Sequence, residues 1–408
     1  MKAKSFFEAW NAFFFAEQSP IPIALFRILF GVMVLATLLL LRADWMAWYG
    51  PHAWVSLKSM QAVEPGTRLN VFAFISRSDF WVHALFWIFL ASAVSLTIGL
   101  LTRLNCLIVF LCLTSIDQRN LFILHGGDTF LRVSGFFLIF APAGAALSVD
   151  RLIRIWGRRE GAEIRPRNPW AQRMIQLELA LVYFVGFCWK VAGTPWVQGT
   201  ALSSILQLDE LQRFPAPSWL MRPTMLKLGT WFTLVLEFAL GVLIWIRELR
   251  YYLLAAGLVF HLSLEYLMNI PMFQWDVLSA YVLFIDAADL ERFWNRISAG
   301  LGGFLGEPRT VIYDGGSERL RRITNLLGAM DIFGRLSFAD LRDSQTQSKP
   351  PSKKARNEFL VVTRSGPLQG LEAVRSVAAA LPLLWPVAAL LTLRKSWDSG
   401  AKPNRKAN

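Results

Sequence analysis

The chain has 408 residues, of which 54% are hydrophobic, 13% aromatic and only 17% charged; that is too few charges for an ordinary soluble domain and points to a membrane protein. The three cysteines, Cys106, Cys112 and Cys188, all lie inside apolar stretches, which excludes a disulfide framework and a CxxC metal ribbon. A formal charge of +13 would suit nucleic acid, but the excess falls largely in short stretches between apolar segments and in the C-terminal tail, so the expected partner is an anionic lipid bilayer and not a nucleic acid.

The first 20 residues, "MKAKSFFEAWNAFFFAEQSP", resemble a signal peptide only superficially, because Glu8, Asn11 and Glu17 interrupt the apolar run and no small-residue cleavage site follows. They read as an interfacial amphipathic helix with Phe6, Trp10, Phe13 and Phe14 along one face. Residues 21–296 form the transmembrane domain. Its apolar segments are 21–42, 80–101, 104–118, 129–147, 174–194, 230–246, 251–268 and 275–286, and about eight spans are expected. The third and eighth fall short of the roughly 20 residues that cross the hydrocarbon. Lysine and arginine are denser in the N-terminal arm, around Arg103, in 148–173 and in "RELR" at 247–250 than in the other connections. Both termini are therefore placed in the cytoplasm and the chain in the cell's inner (plasma) membrane, crossing it many times.

After Phe293 the composition changes. A Gly-rich linker, 297–307, leads to a small α/β module, 308–394, in which "RTVIYDGG", "GRLSFADL" and "EFLVVTRSG" read as strands and "SERLRRITNLLGAM" and "GLEAVRSVAAAL" as helices. "SQTQSKPPSKKARN" reads as a disordered loop, and 395–408 is a basic tail.

Ionisable residues inside apolar segments are the functional candidates. Lys190 lies in "YFVGFCWKVAGTPWVQGTAL", about 24 Å along the fifth span and so near its outer end. It is read either as a snorkelling anchor or as a buried amine covered by the broken segment after it. His52, Asn120, His125, Asp128 and Arg132 sit near outer ends. His261 and Glu265 share a face at i and i+4, and Glu237 is mid-membrane, where pairing with a neighbouring Arg or His would give it a packing role. His261 and Glu265 supply two metal ligands without a compact third, so no metal is expected. "HGGD" at 125–128 lacks the Lys-Ser/Thr of a phosphate loop and reads as a tight turn that carries Asp128 to the start of the next span.

"SPIPIALFRILFG", "RNLFILHGGD", "LSVDRL", "VYFVGFCWKVAGTPWVQGTAL" and "HLSLEYLMNIPMFQWDVLSAYVLF", in this order over residues 5–295, resemble the HTTM domain, the membrane domain of vitamin K-dependent gamma-carboxylases and their bacterial relatives. The resemblance implies a reduced quinone as cofactor, with Lys190 of "K-x-x-G-x-x-W" as the base that deprotonates it. Oxygen addition would then create a strong base that removes a carbon-bound proton before carboxylation of a peptide or small-molecule substrate. Such a lysine needs an apolar setting that favours its neutral amine, for which Phe187, Trp189 and Trp196 are the candidates. The expected site has Lys190, His125 and Asp128 as catalytic groups and Trp189, Trp196, His261 and Glu265 as cofactor-binding residues. Two departures bear on this reading: "HGGD" stands where the carboxylases carry their histidine, and their large C-terminal part is absent. The competing reading is a non-catalytic assembly, immunity or transport component built on the same bundle.

The C-terminal module resembles the DCC family of thioredoxin-like thiol-disulfide oxidoreductases, whose signature is Y-D-G-x-C-x-x-C. Here the two cysteine positions are Ser317 and Leu320, so the resemblance implies the scaffold without thiol exchange, which needs both thiols. Ser317 is expected to cap the following helix. The expected fold is thus a polytopic α-helical membrane protein followed by a small α/β thioredoxin-like domain.

Overall fold

The computed structural model describes residues 5–63, 69–75, 77–157, 161–301, 304, 307–342 and 359–400, the side chains only as far as 393. It divides into two compact units: Met1–Asp150 with Arg165–Asp286, and Arg151–Ile164 with Ala287–Asn408.

The first unit is helical. Helix α1 (Phe6–Phe15) is closed by a capping box in which Ser5 and Glu8 serve each other's backbone N–H, so the acid that interrupts the apolar run is what starts the helix. Its exposed aromatics are Phe6, Phe7, Trp10 and Phe15, whereas Phe14 is buried and Phe13 packs on Trp245 and under the Arg173 guanidinium. Phe6 meets Trp10, Trp10 meets Phe14 and Phe14 meets Phe13 ring to ring, so the expected aromatic face is present, exposed at its start and covered at its end. Then come α2 (Ile21–Leu41), α3 (Asp79–Ile98), α4 (Thr102–Arg119), α5 (Gly126–Phe140), α6 (Trp170–Val191), α7 (Pro223–Val242) and α8 (Arg247–Leu267).

Among the described residues, four helices are long and apolar enough to cross a membrane: Ile21–Leu41, Asp79–Ile98, Trp170–Val191 and Pro223–Trp245, the last being α7 with its 3-10 extension. Of the about eight expected, these four have that length and composition, and the other segments fall short of it for physical reasons. Helix α4 carries Arg103, Asp117 and Arg119, and α8 carries Arg247, Glu248, Arg250 and Glu265. Helix α5 has only 15 residues, and the last apolar run breaks into a short helix, Phe273–Ser279, and a 3-10 turn, Ala280–Phe284. The Leu283 carbonyl of that turn accepts from Gln172 and Gln176 of α6.

Two charged side chains, Arg27 buried and Asp150 half-buried, tie the helix ends together. Arg27 of α2, 0% exposed, donates to the carbonyls of Ala143 (2.9 Å) and Leu147 (2.6 Å) in the segment after α5 and of Thr97 (3.4 Å) in the last turn of α3, the last being an acceptor that no helical N–H can reach. Asp150 of "LSVDRL" accepts from the N–H groups of Leu101 and Thr102 and from the Thr102 hydroxyl at 2.7–2.8 Å, so this motif caps α4. Arg27→Leu strands these carbonyls at a cost of about 1–3 kcal/mol for each buried group left unpaired. A markedly lower Tm in detergent is expected; an unchanged Tm would show that other donors replace the guanidinium. Helices α6 and α7 are in close contact because Gly241 has no side chain: a Cβ there would lie 2.9 Å from the backbone nitrogen of Phe184.

The second unit contains α9 (Ala287–Gly300), β1 (Arg309–Tyr313), α10 (Glu318–Met330), β2 (Leu336–Asp340), β3 (Leu360–Thr363), β4 (Gly366–Leu368), α11 (Gly370–Ala380) and α12 (Trp385–Gly400). The sheet order is β2-β1-β3-β4, with β1 parallel to β2, and β3 antiparallel to both β1 and β4. Val311, Leu327, Val361, Ala373, Val377 and Leu381 form its core. Trp294 and Ser298 of α9 donate to the Ile332 and Phe333 carbonyls, so this helix belongs to the module. The expected linker 297–307 thus starts inside α9; its positions 302, 303, 305 and 306 lie outside the described residues, as do the expected loop 344–357 and residues 401–408 of the tail. The sequence reading missed β4, whose turn requires Gly366 at φ 123°. Ser317 occupies the N-cap position of α10 without a side-chain capping bond, which corrects the expected cap. Leu320 is buried in the module.

Candidate functional site

Lys190 Nζ donates to both carboxylate oxygens of Glu237, at 2.7 and 2.9 Å, and lies 5.3 Å from the centroid of the Trp196 ring. The sequence offered Lys190 near the outer end of its helix and Glu237 in mid-membrane, but a direct pair requires one depth for both. Along α7 that depth is about 21 Å from Pro223 and about 12 Å from Trp245. The chain after Lys190 also continues beside α7 instead of leaving the bundle. Val197 accepts from the Trp231 indole at 3.0 Å, and the Leu202 N–H donates to Thr230 at 3.1 Å. The break at Gly193–Pro195 therefore lies within the length of the neighbouring span, where broken backbone is tolerated against protein, and it brings Trp196 over the ammonium.

One turn before Lys190, Gly186 leaves a notch. A Cβ there would sit 3.5 Å from both Lys190 Nζ and Glu237 Oε2, so these two polar atoms border the space that its missing side chain leaves. A further turn back on the same face, Tyr183 Oη meets His261 Nε2 at 2.6 Å and Tyr281 Oη at 2.7 Å, and His261 Nδ1 meets Gln274 Oε1 at 2.5 Å. With the amide oxygen assigned to face Nδ1, that nitrogen carries the hydrogen, Nε2 accepts from Tyr183, and Tyr183 accepts from Tyr281. All four side chains are buried. Helix α6 thus presents two polar sites on one face, about 10 Å apart along its axis.

The other expected site residues are distributed elsewhere. Trp189, 76% exposed, does not enclose Lys190, because its neighbouring position on the helix turns it away. Phe187 packs on Phe238 of α7. The apolar enclosure expected for the amine is thus an ion pair under one indole. His125 and Asp128 form the capping box of α5: His125 Nδ1 accepts from the Gly127 N–H (3.0 Å), and Asp128 accepts from the His125 N–H (2.9 Å). They start a helix, and their contacts lie with that turn and Phe273, not with Lys190. Asp128 does open α5, as the tight-turn reading of "HGGD" required. His261 and Glu265 diverge, because Glu265 accepts from Arg213 while His261 joins the tyrosines. Arg132 pairs with Asp117 at 3.0 Å, and His52 is exposed.

The sequence reading missed Tyr183, Tyr281 and Gln274, and missed Glu237 as the partner of Lys190. Tyr183 carried a usable signal, since it precedes Lys190 by seven residues and so shares its helical face. The other three lie 47 to 98 residues from the α6 residue or His261 that they bond, or on a short helix of their own. A lysine paired to a glutamate beside a broken helix thus stands at the centre of the segments that carried the resemblance. An HTTM domain model matches residues 15–288, more than half of the chain. The chain belongs to the HTTM family. The Lys190–Glu237 pair, the tyrosine–histidine network and the α5 cap all lie inside the HTTM domain. No curated protein and no solved structure gives a significant match.

Proposed function

We propose that this HTTM bundle binds a reduced quinone beside Lys190 and that the Lys190–Glu237 pair accepts its proton. The observation that carries the reading is the pair itself, bordering the Gly186 notch and covered by Trp196. A flat aromatic ligand with a polar edge fits such a place, since it can present its ring to apolar surface and its hydroxyl to Nζ. When bound, a hydroquinone supplies an acidic O–H and, with oxygen, a base strong enough to remove a carbon-bound proton. The residues supply the rest. Nζ donates to Oε1 across 2.7 Å; passing that proton to the carboxylate would leave a neutral amine able to accept another. Loaded with both, the pair carries one net positive charge, which Trp196 stabilises through its ring face and which balances an adjacent anion.

Carboxylation of a peptide or small molecule is the downstream reaction that this reading extends to, in an inner membrane with the C-terminal module on the cytoplasmic side, as the lysine and arginine distribution supports. The sheet order and the strand-to-helix turn after Tyr313 support a thioredoxin-like scaffold, and Ser317 and Leu320 at the cysteine positions support a module without thiol exchange. The bidentate geometry also suits a second reading, in which the pair only staples α6 to α7 in a non-catalytic bundle. Gly186→Leu separates the two. Filling the notch should abolish binding of a hydroquinone analogue to the purified protein while the Tm stays near wild type, and retained binding would remove the notch from the site.

A further inference from the structure

Helix α12 and the turn before it carry an exposed apolar face. Leu390 and Leu393 are each 66% exposed, and Leu383 and Val387 are exposed with them. Positions 383, 387, 390 and 393 recur at helical spacing and make one stripe. Ala388, on the other side of the helix, is buried against the module. At the start of the stripe the exposed rings of Phe304 and Trp385 meet edge to face, 5.6 Å apart. The apolar run Pro382–Leu393 is about 18 Å long as a helix, too short to cross about 30 Å of hydrocarbon.

We infer that this stripe docks the C-terminal module on an anionic bilayer surface, α12 lying in the headgroup region with Leu383, Val387, Leu390 and Leu393 towards the acyl chains. Three observations favour lipid as the occupant. The same chain carries four helices long and apolar enough to cross a membrane, which would keep a bilayer within reach of the module. The sequence continues from the stripe with Arg394, Lys395, Lys402, Arg405 and Lys406 against the single acid Asp398, a charge pattern that complements anionic headgroups. The Phe–Trp pair at the edge has the amphipathic character of interfacial aromatics.

The test uses the full chain, with Cys188 replaced by serine because it is the exposed cysteine. A nitrobenzoxadiazole label is placed at Leu390→Cys or, as a control, at Ser365→Cys in the exposed β3–β4 turn. The protein is reconstituted in vesicles of phosphatidylethanolamine and phosphatidylglycerol, with and without spin-labelled lipid. The label at 390 is expected to emit at shorter wavelength than the label at 365 and to lose more than half of its intensity to the spin-labelled lipid. Val387→Asp with Leu393→Asp should return the emission at 390 to that of the control, and replacing phosphatidylglycerol by phosphatidylcholine should weaken the quenching at least twofold. Water-like emission at 390 overturns the inference. So does shielded emission without lipid quenching, which would mean that protein, such as a second copy of the chain, covers the face. Quenching indifferent to phosphatidylglycerol would overturn the role of charge.

Discussion

Lys190→Arg is expected to leave the bundle folded and to abolish hydroquinone-dependent oxygen uptake by the purified protein. Arginine can make the same two contacts with Glu237 and keep Trp196 as a ring partner, but it holds its proton at any accessible pH and so accepts none. Lys190→Ala should behave differently, because it strands the Glu237 carboxyl in a partly buried place. Breaking such a pair costs about 3–5 kcal/mol when burial is complete, and the Lys190 side chain is 26% exposed, which puts the expected loss at the lower end. The double change Lys190→Leu with Glu237→Leu should recover most of that stability, since no charge is left unpaired, while remaining inactive. A Lys190→Arg protein with full oxygen uptake would leave the pair as a staple between α6 and α7 and would end the proton-acceptor reading.

Tyr183→Phe is expected to lower the Tm more than Tyr281→Phe. The Tyr183 hydroxyl stands between His261 and Tyr281, so its removal leaves both without that partner, whereas loss of the Tyr281 hydroxyl removes only the terminal donor. A buried group left unpaired costs about 1–3 kcal/mol, and polar contacts between membrane helices fall towards the low end of such values. About 2 kcal/mol is expected for Tyr183→Phe and about 1 kcal/mol or less for Tyr281→Phe. Thermal unfolding of the two variants in the same detergent decides it, and the reverse order would show that Tyr183 does not hold the central position.

Composition and local pattern were enough to identify a helical membrane protein, the amphipathic start of the chain and the alternating strands and helices of the C-terminal module, and the resemblance of its ordered motifs pointed to the family. All of these rest on short-range signals such as apolar runs, periodicity and motif order. Lys190 was legible for the same reason, as a charge inside an apolar run. The sequence alone also determined that the C-terminal module carries no cysteine, since Cys106, Cys112 and Cys188 all precede it whatever the fold.

Only the tertiary structure decided what surrounds Lys190. Glu237 lies 47 residues away on another helix, and no local rule selects it over the remaining acids. Apolar runs likewise do not show where a helix breaks or which residues of a neighbouring helix stand beside it; the contacts of Val197, Leu202 and Gly241 align α6 and the segment after it with α7. His125 and Asp128 suited catalysis by residue type, yet the backbone places them where a helix needs its first N–H groups satisfied. His261 and Glu265 share a helical face, but separate partners, Tyr183 and Arg213, draw them into different contacts. Residue type indicates which groups are chemically capable. Which of them meet depends on helix packing, because each pair joins elements whose separation in sequence carries no information about their separation in space.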